Sequence, residues 1–319
     1  MSMLRDKDAR ETHLITRGNV DGIVSAALFL RHDPLCRVSF VTSPSAASAT
    51  LSKDRHSHRI FVVDISPDEC MLSHCEDRNV TIIDHHPLRH PGDTRAEMVI
   101  DEGRSAASVL ASYLDVEDDF RPVIAIADSV EYMSTPIMEE MWGDHGSRRM
   151  LREAKVLDFS WRANIKDDLF RYRAAMRLSQ GAWPSEVPII WRRFLTVQNE
   201  RRWPRALSLV KEKIRRVGDI GVLELNGRDS LLGFGTRALT HVATMQELSY
   251  AALVHRRDNH TSVSLRGIRS DGVDLGAFAE DFTRRHGISG GGHPSSAGAR
   301  IPVTSSYKMI RELHELSVG

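Results

Sequence analysis

The feature that most restricts the fold is an alternation of short apolar runs with longer apolar-periodic segments in the N-terminal part of the chain. RIFVV and VTIID are continuously apolar, as is typical of strands buried on both faces. VDGIVSAALFLRH and RPVIAIADSVEY have the spacing of helices. The alternation predicts a doubly wound parallel sheet of the α/β class, in which ligands bind outside the carboxyl ends of the strands.

Aspartates fall where the predicted strands end. Asp64 ends FVVD, Asp84 ends TIID, and Asp21 follows the first strand. His85 and His86 come directly after Asp84. A single aspartate at a strand end is usually structural, but clustered carboxylates and imidazoles repel one another unless a cation holds them. Mixed oxygen and nitrogen ligands suit Mn²⁺, so the pattern predicts a metal site.

The composition is that of an ordinary soluble globular protein, with 41% hydrophobic and 27% charged residues. The length of 319 residues favours two domains. We expect no membrane partner, because no apolar run is long enough to span a bilayer. The N-terminus MSMLRDKDARETH lacks the apolar core of a signal peptide, which favours a cytoplasmic location. Cys36, Cys70 and Cys75 cannot all pair, and we interpret them as reduced thiols.

Positive charge is concentrated in the middle of the chain. Between Arg148 and Arg216 there are 18 Lys and Arg but 7 Asp and Glu residues, and all five tryptophans lie in or beside this stretch. Basic residues interleaved with aromatics can follow a phosphate backbone and stack on bases. A solvated helical face anchored by tryptophans is the alternative, and both interpretations stay open.

The C-terminal part predicts a second, smaller α/β domain. Its predicted elements are a strand in DIGVLELN, a hairpin of LSYAALVHRR and HTSVSLRG, a helix in DLGAFAEDFTRRHG and a strand in SAGARIPV. We therefore predict a catalytic domain at 1–150, a basic helical connector at 151–217 and a substrate-binding domain at 218–319. The glycines of GGGH allow backbone N–H groups to approach an anion, although a turn would also explain them.

Six segments resemble the motifs of one family in the same order. TRGNVDGIVSAA, FVVDIS, IIDHHP and AIADS are similar to the four N-terminal motifs of the DHH phosphoesterase superfamily. SVSLRG and SGGGHPSSAGARIP resemble its DHH-associated C-terminal domain. The superfamily includes RecJ-type nucleases, oligoribonucleases, cyclic-dinucleotide phosphodiesterases and exopolyphosphatases. The basic segment would then line the cleft between the two domains.

The resemblance implies two Mn²⁺ ions, with Mg²⁺ as an alternative, bridged by Asp64 and activating a water against a phosphoester. It assigns Asp21, Asp128 and one of the two histidines to one metal. The other histidine and Asp84 would orient the ligands. It also implies a set of substrate contacts: Ser105, Arg266, Gly290, Gly291, Gly292 and His293.

The first motif departs from the family pattern His-x-Asp-x-Asp-Gly. Arg17 replaces its histidine and Asn19 its first aspartate. Arginine offers no lone pair to a cation, and asparagine offers only a neutral carbonyl. We therefore expect one metal to bind tightly and the second weakly or not at all. Either the centre has decayed, or Arg17 grips a substrate phosphate beside Asn19.

The sequence thus predicts a cytoplasmic, manganese-dependent phosphoesterase that acts on nucleotides or short oligonucleotides. A polyphosphate or small-phosphate hydrolase is one alternative. A catalytically attenuated nucleotide- or RNA-binding module is another, favoured by Arg17 and Asn19. The sequence leaves a homodimer open.

Overall fold

The computed structural model describes residues 12–88, 94–102, 104–132, 145–226, 233–268 and 272–318. These residues form two compact units. The first contains the described residues up to Glu131 together with Gly146–Trp161 and Ile165–Trp191. The second contains Tyr132, His145, Arg162–Asn164 and the described residues from Arg192 onward. The predicted connector, 151–217, contributes to both units, and the domain boundaries after 150 and 217 remain predictions.

The first unit is built on a parallel sheet of five strands in the order β2-β1-β3-β4-β5. Its strands are β1 (Thr12–Arg17), β2 (Arg37–Val41), β3 (Arg59–Val63), β4 (Val80–Asp84) and β5 (Glu97–Ile100). Its helices are α1 (Val20–His32), α2 (Pro44–Lys53), α3 (Glu69–Ser73), α4 (Ala106–Tyr113), α5 (Arg121–Tyr132), α6 (His145–Arg162) and α7 (Asp168–Leu178). The predicted α/β class with a parallel N-terminal sheet is confirmed.

Helices cover both faces of this sheet because successive side chains of a strand point in opposite directions. Phe61 of β3 packs against Phe29 of α1, with ring centroids 4.6 Å apart. Its neighbours Ile60 and Val62 instead join a buried cluster that includes Leu51 of α2. The continuous apolar run in RIFVV therefore reflects burial on both faces.

A tight turn connects β1 to α1. The side chain of Asn19 caps the helix, since its Oδ1 accepts the backbone N–H of Gly22 at 2.8 Å. A Cβ atom on Gly22 would lie 1.7 Å from the carbonyl oxygen of Arg17, so no larger residue fits there. The connection therefore places Asp21 in the first helical turn of α1, shortly after the end of β1.

The second unit contains a mixed sheet of six strands in the order β10-β11-β9-β8-β7-β6. Its strands are β6 (Arg215–Val217), β7 (Ile220–Leu225), β8 (Tyr250–Arg256), β9 (Thr261–Gly267), β10 (Ser289–His293) and β11 (Ser296–Ile301). Its helices are most of α8 (Pro188–Asn199), α9 (Arg202–Lys213), α10 (Gly235–Met245), α11 (Leu275–His286) and α12 (Ser306–Val318). Among the helices described, none is both long and apolar enough to cross a membrane.

The predicted hairpin is present as the antiparallel pair β8 and β9, and β11 returns beside β9. The glycine run forms the strand β10 rather than the turn that was the alternative, and its contact with an anion remains a prediction. Gly292 in this strand has φ 143°, and a Cβ atom there would lie 2.4 Å from the carbonyl oxygen of Ser296. Glycine is needed because β10 and β11 approach closely at their connecting turn.

Candidate metal centre

The carboxyl edge of the parallel sheet carries the two aspartates that follow its central strands. Asp84 is the last residue of β4, and Asp64 comes directly after β3. Asp64 has φ 59°, a left-handed conformation that is uncommon outside glycine, although aspartate and asparagine adopt it more readily than most residues. Its backbone N–H donates to the carbonyl of Ile83 at 3.1 Å, which fixes the turn after β3. Such strained positions are concentrated at functional sites.

Four side chains with metal-binding atoms meet at this edge. One ligand atom each of Asp64, Asp84, His85 and His86 lies within 4.8 Å of the others. The first three residues are buried, and His86 is partly buried. Charged groups in such a place need a compensating partner, and a set of oxygen and nitrogen donors suits a divalent cation such as Mn²⁺.

Asp84 organises the two histidines. Its Oδ1 accepts the backbone N–H of His85 at 2.8 Å and a hydrogen bond from Nδ1 of His86 at 2.7 Å. Its Oδ2 accepts the hydroxyl of Ser66 at 3.2 Å. An ionised carboxylate can only accept, so Nδ1 of His86 carries the hydrogen and Nε2 carries the lone pair. Asp84 therefore orients the imidazole of His86, as carboxylates next to metal-bound histidines commonly do, and it holds the backbone of His85.

His85 lies between two carboxylates. Its Nε2 is 3.5 Å from Oδ1 of Asp64 and 3.9 Å from Oδ2 of Asp21. Burial alone would lower the pKa of His85, but the hydrogen bond to Asp64 and the charges of Asp21 and Asp64 raise it to about 10. Burial, and then the charge of Asp64, raises the pKa of Asp21 well above its usual value. The negative charge of Asp21 and Asp64 is thus only partly balanced by neighbouring positive charge. A bound cation would reduce the repulsion between the two carboxylates.

Asp64 remains ionised in this group. Burial would raise its pKa, but the hydrogen bond from His85 and the positive charge of Arg17 lower it below the ordinary value. Its Oδ2 is buried and accepts no hydrogen bond from the described residues. Buried polar atoms nearly always have a partner, and a bound ion commonly provides it where no hydrogen bond does. The donor set therefore fits a metal ion.

Asp21 is fixed by the N-terminus of α4. Its Oδ2 accepts the backbone N–H of Ala106, and its Oδ1 that of Ala107, both at 2.8 Å. The N–H groups and the dipole of a helix N-terminus favour a negative charge at this position. Asp21 therefore ties α1 to α4, whatever else it binds.

Asp128 lies outside the cluster of Asp64, Asp84 and the two histidines. Its Oδ1 accepts the hydroxyls of Ser105 at 2.6 Å and Ser108 at 2.8 Å. Ser105 in turn caps α4 by accepting the N–H of Ser108 at 3.2 Å. Asp128 and Ser105 thus hold the start of the helix that contacts Asp21. Ser108 was missed because nothing in its local sequence indicates a contact with α5.

An exposed arginine ends β1, and a buried arginine of α7 contacts the turn that follows. Arg17 is exposed, and its positive charge contributes to the low pKa of Asp64. Arg171 of α7 is only 4% exposed, and its Nε donates to the carbonyl of Gly18 at 2.9 Å. It also donates to the carbonyl of Ile165 and to the carboxylate of Asp168. Sequence analysis missed Arg171, because 153 residues separate it from the turn that it holds.

In the second unit, two of the predicted substrate contacts lie on either side of one residue. Ser296 of β11 pairs with Arg266 of β9 and with His293 of β10. Arg266 donates through Nη1 to the carbonyl of Leu265 at 2.7 Å. The remaining predicted contacts, Gly290, Gly291 and Gly292, precede His293 in β10. The structure therefore places the glycines and His293 on the edge strand β10, and Arg266 on β9, on the other side of β11.

Comparison with family models identifies one segment of the chain. The model described as the DHHA1 domain matches residues 236–317, which include β8 to β11. A search among curated proteins found no match.

Solved structures are similar over nearly the whole chain. A pGpG-specific phosphodiesterase from Vibrio cholerae is 14% identical with a TM-score of 0.55, and the match covers 96% of this chain and 98% of that one. RecJ from Thermus thermophilus in complex with Mn²⁺ is 13% identical with a TM-score of 0.62, covering 97% and 52%. An exopolyphosphatase-related protein from Bacteroides fragilis is 14% identical with a TM-score of 0.55, covering 97% and 93%. These similarities are similarities of fold. Together with the match to the DHHA1 domain model, they confirm the resemblance to the DHH phosphoesterase superfamily that the sequence motifs predicted.

Proposed function

We propose that this chain, whose fold is similar to that of DHH phosphoesterases and whose residues 236–317 match the DHHA1 domain model, is a metal-dependent phosphohydrolase acting on phosphoesters of nucleotides or short oligonucleotides. The observation that carries the proposal is the cluster of Asp64, Asp84, His85 and His86 at the carboxyl edge of the sheet. Ligand sites of doubly wound folds occur at this edge.

We assign one divalent cation to Asp64, His85 and Asp21, with Mn²⁺ as the expected ion and Mg²⁺ as the alternative. Asp128 is retained as a further candidate ligand. A bound divalent cation provides an activated water and stabilises negative charge on the phosphoester oxygens. The unsatisfied Oδ2 of Asp64 and the excess negative charge around His85 support this assignment.

The neighbouring residues prepare the site for this chemistry. Asp84 holds the Nδ1–H of His86, so the lone pair of Nε2 can coordinate a cation or accept a proton. His85 gives up its proton when it becomes a ligand, because only the neutral imidazole coordinates. Binding of the cation should therefore release a proton and tighten as pH rises.

We propose that Arg17 contacts a phosphate of the substrate. It is exposed, and its guanidinium can bind two phosphate oxygens at once. Asn19 uses its Oδ1 to cap α1, so only its amide N–H groups remain for a substrate. Neither residue offers a good metal ligand. We therefore keep the prediction of one tight cation and a second that binds weakly or not at all.

The substrate class is supported by two observations of different kinds. Two of the similar structures are, by their descriptions, a pGpG-specific phosphodiesterase and the exonuclease RecJ. The helix α6 also exposes Arg148, Arg149, Arg152 and Lys155, so part of the basic stretch is available to a polyanion. The exopolyphosphatase-related structure keeps a small-phosphate substrate as the alternative. The homodimer and the cytoplasmic location remain predictions.

A Mn²⁺-dependent hydrolysis panel tests the activity. The substrates are a generic phosphodiester, dinucleotides, 3′-phosphoadenosine 5′-phosphate and polyphosphate. The purified chain should hydrolyse a nucleotide substrate, and Asp64→Asn should abolish both the turnover and the tight binding of Mn²⁺ in a titration. Asp258→Asn, at an exposed aspartate, is the matched control and should leave both unchanged. If no phosphoester is cleaved while a nucleotide still binds, the attenuated binding module is correct.

The role of Arg17 is tested by two variants. If Arg17 clamps a phosphate, Arg17→Ala should lower turnover by up to about 10³-fold, which is the effect of a catalytic arginine in phosphoryl transfer. The double change Arg17→His with Asn19→Asp should then also lower it. If the centre has instead decayed, the double variant should bind a second Mn²⁺ and hydrolyse faster than the parent.

The substrate contacts proposed for the second unit have their own test. Arg266→Ala should weaken substrate binding by roughly 1.5–3 kcal/mol, the usual cost of a lost charge-assisted hydrogen bond, and should leave Mn²⁺ affinity unchanged. Unchanged substrate binding in both Arg266→Ala and His293→Ala would remove the proposed role of this edge.

A further inference from the structure

A second polar cluster lies in the first unit at the amino ends of β1 and β2, whereas the candidate metal centre lies at the carboxyl edge of the same sheet. His13 is near the start of β1, Ser39 is in the middle of β2, and Asp54 follows α2. In the paired register His13 lies beside Arg37, two residues before Ser39. None of these residues has a role in the proposed phosphohydrolase site.

The three side chains form a continuous hydrogen-bonded relay. Nδ1 of His13 is 2.6 Å from Oδ2 of Asp54, and Nε2 of His13 is 2.8 Å from the hydroxyl oxygen of Ser39. His13 and Asp54 are buried, with their side chains 1% exposed, while Ser39 is partly exposed. This is the connectivity of an activated serine, in which a carboxylate orients the histidine and the histidine accepts the serine proton.

Hydrogen bonds keep the carboxylate of Asp54 ionised. Burial would raise the pKa of Asp54, but hydrogen bonds from Ser57, His13 and His56 lower it well below the ordinary value. Arg37 donates to the same oxygen as His13, which adds positive charge beside it. Asp54 is therefore an acceptor at neutral pH.

The ionised carboxylate in turn fixes the tautomer of His13. Nδ1 of His13 makes its shorter contact with Asp54, at 2.6 Å, and lies 2.8 Å from Nη2 of Arg37. An ionised Asp54 can only accept and the guanidinium of Arg37 can only donate, so Nδ1 satisfies one of these two contacts, and we assign its hydrogen to the shorter one, with Asp54. Nε2 then carries the lone pair and can accept the proton of Ser39.

We propose that Ser39 is the nucleophile of a second, metal-independent site that takes small carboxylic esters, with His13 as its general base and Asp54 as the orienting residue. A cavity of about 200 Å³ opens beside the relay and is lined by Ser39, Arg37 and Lys53, among others. Its size suits a small acyl group, since cavities for drug-sized ligands are about 300–1,000 Å³. The two cationic residues favour an acyl group with a carboxylate, and they can stabilise the developing oxyanion.

The reaction balances without any further reagent. The hydroxyl oxygen of Ser39 attacks the ester carbonyl, and its proton moves to Nε2 of His13. The ester C–O bond breaks, and the leaving alcohol takes this proton, which leaves an acyl group on Ser39. A water molecule then attacks the acyl group, again losing a proton to His13, which passes it to the Ser39 oxygen as the acyl bond breaks. The products are the carboxylic acid and the regenerated Ser39 hydroxyl.

The test uses the full chain with EDTA present, so that the metal centre does not contribute. The chain is incubated with a fluorophosphonate, which loses fluoride on reaction with an activated serine, and the modified residue is mapped by mass spectrometry. The label should appear on Ser39 and be lost in Ser39→Ala. His13→Gln should slow labelling on the order of 100-fold, the usual contribution of a general base. Ser52→Ala, at a serine whose hydroxyl donates within α2, is the matched control.

Hydrolysis of 4-nitrophenyl esters provides the second measurement. The acetate should give a burst of nitrophenol that is absent in Ser39→Ala, and the hemisuccinate should react faster than the acetate. Lys53→Gln should reduce that preference, while Arg37 maintains the rest. If the three residues only stabilise the fold, Ser39→Ala should lower the melting temperature and the parent should not be labelled. If the folded parent is not labelled at Ser39, or if the burst persists in Ser39→Ala, the proposal is wrong.

Discussion

Arg171 should hold the turn that precedes Asp21, and Arg171→Met is the change that tests it. Methionine keeps most of the apolar length of the side chain but has no donor. The variant should therefore leave the carbonyl of Gly18, which is buried, without its partner at 2.9 Å. The carbonyl of Ile165 also loses a donor. The space is already filled, since a Cβ atom on Gly18 would lie 2.8 Å from the guanidinium carbon.

The magnitude follows from these contacts. A buried acceptor left without a donor costs about 1–3 kcal/mol of stability. The carbonyl of Gly18 should show the whole of this cost, and the carbonyl of the less buried Ile165 only part of it. The ion pair with Asp168 adds little, because that carboxylate is 64% exposed and solvent screens it. Removing a buried charge returns some of the cost of its desolvation. We expect Arg171→Met to lower the free energy of unfolding by about 2 kcal/mol.

Two measurements decide the outcome. Urea unfolding followed by far-UV circular dichroism gives the change in stability, and Asp168→Asn serves as the control that should stay within about 0.5 kcal/mol of the parent. Hydrogen exchange read by mass spectrometry should show faster exchange at the Gly18 amide, which donates to the carbonyl of Val41 at 2.9 Å. Unchanged stability together with unchanged exchange at this turn would refute the reasoning.

Three further outcomes follow from single positions. Gly22→Ala should lower the melting temperature strongly, because its Cβ atom would lie 1.7 Å from a backbone oxygen, whereas Gly298→Ala, with open space around it, should not. The pKa of Asp54 is lower in the folded protein than in the unfolded chain, where it is about 3.9. The ionised carboxylate therefore stabilises the fold above that pH, and this stabilisation is lost as pH falls. The unfolding free energy of the parent, measured by urea titration, should therefore fall more steeply below about pH 4 than that of Asp54→Asn. Iodoacetamide at neutral pH, followed by mass spectrometry, should modify the exposed Cys70 first, because burial raises the pKa of the other two thiols to about 12 and 11.

Local patterns in the sequence were enough to predict the class of the fold and the edge of the sheet at which the candidate metal ligands lie. Continuous apolar runs and helical periodicity predicted β3, β4 and α1 without any knowledge of long-range contacts. Since parallel strands end on one edge, Asp64 and Asp84 could be placed near each other from their positions alone. Helix α2 was not predicted, because its run of alanine and serine has little apolar periodicity.

The contacts between polar groups that are distant in sequence depend instead on tertiary packing. Asp128 accepts hydrogen bonds from Ser105 and Ser108, and Arg171 contacts a turn 153 residues away. The relay likewise joins His13 to Ser39 and Asp54, which lie 26 and 41 residues further along the chain. The partners of a side chain at such separations are set by how helices and strands pack. Local sequence carries no signal for them, because the same residues are also compatible with an exposed surface.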